Sequence, residues 1–414
     1  MFAFQLATLF AGISLASPLR RGYGNSSLLP PLRFTSNGTF QISIFNDLHF
    51  GENAWDTWGP QQDINSVKQL VVLNGDLITG ENAYLENATV KIDQIVAPLL
   101  ARGLTWASTY GNHDSQYNLS RHAILQREHR WPNNARTQQM VFGNESGVSN
   151  YYLPVYPSHP AAGGSEEEPC LLLWSFDSRG GFYFQQQNAS GAHIGQPDWV
   201  DQSVVDWFEA TKRDLTRKYR KAIPSLAFVH IPTNASQAAQ MGPGIDPSRQ
   251  PGINDDYPDL AQQAQGWCED GSNGPDCVYG GQDIPFMRAL TSTPGLMAVF
   301  SGHDHRDTWC YKWDSLLPGM NVRGNGVNLC FGQHSGYGGY GNWIRGSRQV
   351  LVTEAMLRQR EVETWIRLEK GGGVVGGVSL NGTYGEDVYP VTPDRMTNCP
   401  TCNYSVITNM PGTK

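Results

Sequence analysis

Val71-Val72-Leu73-Asn74-Gly75-Asp76 is the stretch on which the reading of this chain turns. A short apolar run enters a glycine that lets the backbone bend sharply, and the bend delivers a carboxylate at the run's end. Such a run suits a buried parallel strand, and open α/β sheets carry their sites where such strands end. Alone, Asp76 is an ordinary turn residue that could equally cap a helix. The pattern recurs, however, four more times. Phe40 to Phe45 ends in Asn46-Asp47-Leu48-His49, and Leu104 to Ser108 is followed by Gly111-Asn112-His113-Asp114. Ala227-Phe228-Val229 runs into His230, with Pro232 stopping any continuation, and Met297 to Phe300 leads to Gly302-His303-Asp304-His305. A lone strand-end histidine is usually a hydrogen-bonded structural group; here five of the chain's 10 histidines stand at such ends.

Outward from these blocks, Leu171 to Phe176 reads as a further strand, and Ala88 to Ala101, Leu119 to His129 and Pro197 to Tyr219 read as helices. The alternation predicts an α/β domain. Thr308 to Trp313, Val327 to Phe331, Gln349 to Glu354 and Glu363 to Leu368 predict a β-rich C-terminal part. Ala161 to Glu168 reads as a surface loop, Gly371 to Gly377 as a glycine-rich turn or loop, and Asn234 to Asp283 as a Pro/Gly/Asn/Asp-rich loop overhanging the site. No linker divides the chain and no repeat is visible.

The chemistry follows from residue type. In an extended segment Asp47 and His49 would point the same way and could reach one ion. Imidazole, carboxylate and amide oxygen without thiolate suit Zn, Mn or Fe better than Ca or Cu(I). Asp47, His49, Asp76, Asn112, His230, His303 and His305 outnumber the donors one ion needs, so two metal ions are expected, with Asp76 bridging a pair about 3.5–4 Å apart. Two cations at that distance repel strongly, so bridging anions, Asp76 and a hydroxide, are expected between them.

Composition points to export. Met1 to Ala16 is apolar apart from Gln5, Thr8 and Ser14, ends in small residues, and reads as a secretory signal peptide although it lacks a basic start. Residues 17–36 form a leader segment with a dibasic processing signal at Arg20-Arg21, or simply a solvated arginine pair. Asn-X-Ser/Thr sequons begin at Asn25, Asn37, Asn87, Asn118, Asn144, Asn188, Asn234, Asn381 and Asn403, which predicts N-glycans on a protein sent outside the cell, to the vacuole or to the cell wall. Of the 7 cysteines, Cys268 with Cys277, Cys310 with Cys330 and Cys399 with Cys402 are the expected disulfides, leaving Cys170 as a buried thiol. A formal net charge of -8 disfavours nucleic acid as a bulk partner, and no later run approaches the ~18 apolar residues of a transmembrane anchor.

The order Asp47-X-His49, Gly75-Asp76, Gly111-Asn112-His113-Asp114, His230, Gly302-His303-Asp304-His305 resembles the signature of the calcineurin-like metallophosphoesterase superfamily. Gly302 to Asp307 and then Asn328-Leu329-Cys330 further resemble the fungal and plant single-domain group related to purple acid phosphatases and to the yeast phosphatase Dcr2. The resemblance implies two mixed β-sheets packed face to face with flanking helices, over a domain spanning 37–370, with 371–414 as a C-terminal extension. It implies that Asp47, His49 and His305 hold one metal, that Asn112, His230 and His303 hold the other, and that Asp76 bridges. It makes Asn112 and His113 substrate-binding, His113 the proton donor to the leaving oxygen, and Asp114 its orienting partner. Purple acid phosphatases carry a tyrosine ligand three residues after the bridging aspartate; Thr79 stands there, so no tyrosinate absorption is expected.

His334, in the Gly332 to Gly341 glycine and aromatic loop, is a candidate substrate contact. The function expected is a secreted dinuclear phosphomonoesterase acting on a small phosphorylated substrate. A phosphodiesterase on nucleotides or glycerophosphodiesters, or a non-catalytic binding protein that keeps the fold, are the alternatives.

Overall fold

A computed structural model describes residues 29–52, 72–159, 167–255, 264–268, 277–369 and 373–393. The expected signal peptide, Arg20-Arg21, Cys399 and Cys402 lie outside the described residues, as does Val71. In chain order the strands are β1 (Leu32–Arg33), β2 (Thr39–Phe45), β3 (Val72–Asn74), β4 (Ala107–Thr109), β5 (Tyr151–Tyr156), β6 (Leu171–Phe176), β7 (Phe182–Gln187) and β8 (His193–Gly195). They continue as β9 (Ser225–Val229), β10 (Leu296–Ser301), β11 (Cys310–Trp313), β12 (Val327–Phe331), β13 (Gly346–Thr353), β14 (Val362–Leu368) and β15 (Val374–Leu380). The α-helices are α1 (Val90–Leu100), α2 (Arg121–Glu128), α3 (Gln202–Tyr219), α4 (Asn234–Met241), α5 (Ile284–Thr291) and α6 (Glu354–Gln359).

Two mixed sheets form, in the orders β1-β5-β6-β9-β10-β12-β11 and β15-β14-β13-β2-β3-β4. The parallel core β6, β9, β10 and β12 is buried at every residue, which is why its sequences are unbroken apolar runs. Helices α3, α4 and α5 cover its outer side through Val204, Phe208, Ala235, Phe286 and Leu290. Antiparallel β14 instead alternates buried and exposed positions, as a strand with one wet face must. On the other sheet, α1 lays Ile92, Ile95, Val96 and Leu99 over β2 and β3. Between the sheets, Ile42, Ile44, Val350 and Val352 meet Leu171, Leu173, Leu226, Phe228 and Phe300. The result is a four-layer αββα sandwich. Truncating a side chain of this middle layer, such as Phe300→Ala, costs about 3–5 kcal/mol by the usual cavity rule.

Several expectations need correction. The run from Leu104 forms a strand only at Ala107–Thr109, because the backbone before it is taken up elsewhere: Trp106 N donates to the Asn134 carbonyl, and the Trp106 carbonyl accepts from Arg136 N. Gly371 to Gly377 is not simply a loop: Val374–Leu380 pairs antiparallel with β14, and Gly376 (φ 57) supplies an irregularity that only an edge strand tolerates. The boundary expected at residue 370 therefore separates two paired strands, β14 and β15, and Tyr384 beyond it is buried with its hydroxyl donating to the Cys310 carbonyl at 2.6 Å. The C-terminal part is β-rich as expected, its strands completing both sheets: β13 to β15 one, β11 and β12 the other. In the overhanging segment, Asn234–Met241 is helical. Disulfides join Cys268 to Cys277 and Cys310 to Cys330, while Cys170 is a half-buried free thiol. Among the described residues no helix is long and apolar enough to cross a membrane.

Candidate metal centre

The parallel strands of both sheets end at one place. After β2, β3 and β10 the chain enters left-handed backbone at Asp47 (φ 55), His49 (φ 49), Asp76 (φ 49) and His303 (φ 74). Residues with a Cβ reach that region at a cost of about 1–3 kcal/mol each, which surrounding contacts must offset. Those contacts are visible: Asp47 N donates to the Gly75 carbonyl, and Leu48 N and His49 N both donate to the Asp76 carbonyl, at 2.8–3.0 Å. Asp47 and His49 do converge, but through this coiled loop and not through strand alternation. Two glycines are sterically required. A Cβ at Gly75 would fall 2.1 Å from His230 Nδ1, and one at Gly111 would fall 2.2 Å from Asp76 Oδ1.

The convergence yields three sets of donor atoms lying within 4.8 Å of one another: Asp47, His49 and His305; Asp76, His230 and His303; and His49, Asp76 and His113. His230 Nε2 lies 3.0 Å from Asp76 Oδ2, and His305 Nε2 lies 3.6 Å from Asp47 Oδ1. The outer ring nitrogens are already engaged. His230 Nδ1 donates to the Asn74 carbonyl at 2.9 Å, and His305 Nδ1 to the Tyr340 carbonyl at 3.0 Å. A carbonyl can only accept, so in the neutral ring Nε2 carries a lone pair aimed inward. His49 Nε2 lies 3.1 Å from His305 Nε2, and its own Nδ1 is held by Thr79 Oγ1 at 3.1 Å. With the His49 proton on Nδ1, two Nε2 lone pairs face each other there, an arrangement that a shared cation satisfies. Asn112 Oδ1 is buried with no hydrogen-bond partner. Inward ring nitrogens, the carboxylates beside them and the orphaned Asn112 oxygen are what metal ions would satisfy, so the residues fit a metal pair.

Charge tells the same story. Burial pulls the His49 and His303 imidazoles down to about 3 and lowers His305 well below its ordinary range, which keeps these rings in their neutral, ligating form. Burial pushes Asp47 up to about 7. Burial also works against an ionised Asp76, but the charges of His230 and His113 outweigh it and hold the carboxyl well below its usual range.

Two sequence-predicted roles are redistributed. Asp114, fully buried, accepts from Leu77 N and Ile78 N with one oxygen and from Gly111 N with the other, at 2.9–3.0 Å. It therefore clamps the turn after β3 to the turn after β4, and does not orient His113. The carboxylate facing His113 is Glu81, whose Oε1 lies 2.6 Å from Nδ1. Burial lowers the basicity of His113, yet Glu81 and Asp76 more than compensate and raise it to about 10. His334 is no substrate contact: its Nε2 donates to the Gly338 carbonyl at 2.9 Å, and its Nδ1 accepts from Arg345 at 2.7 Å. Packed 4.0 Å from the His305 ring and 1% exposed, it supports the centre from behind. Sequence reasoning missed Glu81 and Glu52; the only signal was their nearness in the chain to Asp76 and His49.

The chain belongs to the calcineurin-like phosphoesterase family, whose model matches residues 40–307. It is similar to "Probable inactive purple acid phosphatase 29" of Arabidopsis thaliana, 25% identical, with 89% of this chain and 92% of that one covered. "Phosphatase DCR2" of Saccharomyces cerevisiae is 25% identical over 81% of this chain, which spans 55% of the yeast protein. A solved dimetal phosphatase from Danio rerio aligns with 83% of this chain and 98% of its own at 13% identity and a TM-score of 0.44.

Proposed function

We propose that this protein hydrolyses phosphate monoesters with two metal ions, one held by Asp47, His49 and His305, the other by Asn112, His230 and His303, with Asp76 shared. The observation that carries this reading is the pair of donor sets, Asp47 with His49 and His305 and Asp76 with His230 and His303, meeting in one buried pocket with the Nε2 atoms of His230 and His305 turned inward. When bound, the ions supply charge neutralisation on phosphoryl oxygens and a water acidified toward neutrality.

This chain's own residues do the rest. Asp76 fixes the His113 backbone, accepting from its N–H at 2.8 Å, so that the imidazole stands at a set distance from the pocket. His113, charged beside Glu81, hands its Nε2 proton to the departing oxygen, a step typically worth about 10²- to 10⁴-fold. Glu81 acts through His113 as a positioning residue. Disulfides and exposed sequons at Asn37, Asn87, Asn144 and Asn188 support work outside the cytosol.

Rates on p-nitrophenyl phosphate and bis-p-nitrophenyl phosphate test the ester class, a faster monoester being expected and a faster diester overturning it. The names of the Arabidopsis relatives favour a second reading, a fold kept without turnover. A metal-replete protein inert on both esters would establish that reading instead.

A further inference from the structure

Resting on the proposed metal pair, we infer that Thr79 and Glu52 form a hydrogen-bond relay that fixes the tautomer of His49 and so makes it a ligand. His305 and His230 give their Nδ1 protons to backbone carbonyls, which can only accept. His49 gives its own to a hydroxyl, Thr79 Oγ1, 3.1 Å away. A hydroxyl can donate as well as accept. Rotated the wrong way, it would donate to His49 Nδ1, leave the proton on Nε2 and close the ring to metal. What prevents the rotation is Glu52. Its Oε2 accepts the Thr79 hydroxyl at 3.3 Å and also Gly339 N at 2.8 Å, and it lies 4.0 Å from His49 Nδ1, too far to serve that nitrogen directly. With its proton committed to Glu52, Thr79 has only lone pairs left for His49.

The three side chains are 1–3% exposed, so water has little access to take over the part. Gly339 makes the relay part of the wall: a Cβ there would fall 2.4 Å from His305 and 2.8 Å from His49. Position 79 thus acts one layer behind the metal, where purple acid phosphatases place a tyrosine on it. Glu52 and Thr79 are positioning residues, and outer partners of this kind are worth about 10- to 100-fold in metal affinity.

The test is chelator competition on the holoenzyme, with nitrogen NMR of labelled histidine rings in the metal-free protein. Thr79→Val and Glu52→Ala should each weaken one of the two ions by about 10- to 100-fold and put the His49 proton on Nε2. Thr79→Ser and Glu52→Gln should bind like the parent, because a serine hydroxyl and an amide oxygen preserve every acceptor. Thr79→Val holding both ions at parental affinity overturns the relay. So does Glu52→Gln as weak as Glu52→Ala, which would make the charge, not the polarity, decisive. Should either truncation fail to fold, the other, set against its conservative partner, decides. A parent chain that binds fewer than two ions sinks the metal-pair reading and not the relay alone.

Discussion

The two halves of the centre are built to different standards of certainty. Beside Asp76, the His230 ring is set by main chain: the Asn74 carbonyl holds it, and it packs where Gly75 leaves room. Around Asp47, His49 and His305, one ring is set by a carbonyl and the other by the Thr79 hydroxyl, which itself needs Glu52. Backbone acceptors survive substitution of side chains. A side-chain relay does not, so the Asp47 half is the one that mutation can retune or disable.

The comparison can be broken first at its shared point. Asp76→Asn removes the charge common to both halves, and metal analysis should find both ions lost and hydrolysis down by at least about 10³-fold. Retention of metal and rate together would dissolve the pairing. Next, chelation should destabilise the whole protein. Each ion held at 100 times its dissociation constant stabilises by about 2.7 kcal/mol, so Tm should fall by several degrees and recover on adding metal back; an unchanged Tm would contradict a buried site.

A smaller effect separates His113 from the ligands. Glu81→Gln should cost about 10- to 100-fold on alkyl phosphates and little on p-nitrophenyl phosphate, whose leaving group needs no proton, with metal content intact. Equal loss on both would make Glu81 structural. Smallest of all, His334→Ala should leave KM for p-nitrophenyl phosphate within about two-fold while costing about 1–3 kcal/mol of stability through the lost hydrogen bonds to Arg345 and the Gly338 carbonyl. A raised KM would restore His334 as a substrate contact.

Much of this was legible in the sequence because burial on both faces leaves parallel strands as plain apolar runs, and a run that stops at Gly75-Asp76 or Gly302-His303 marks its own end. What stayed hidden has no one-dimensional trace. Glu81 is a half-exposed glutamate on a short turn, and only folding places it against His113. Asp114 looks like a partner of its neighbour, yet in a tight turn adjacent side chains diverge, and its carboxylate finds backbone N–H groups instead. Thr79 appears only as a missing tyrosine until Glu52 and His49 are brought beside it. Val374–Leu380 is masked by its glycines, which read as loop although an edge strand can carry them.

Anomalous diffraction from crystals of the metal-loaded protein tests the central claim most directly. Two peaks should appear about 3.5–4 Å apart with the Asp76 carboxylate between them, one beside His49 and His305 and the other beside His230 and His303. A single peak, or none, in protein that still hydrolyses phosphate esters would contradict it.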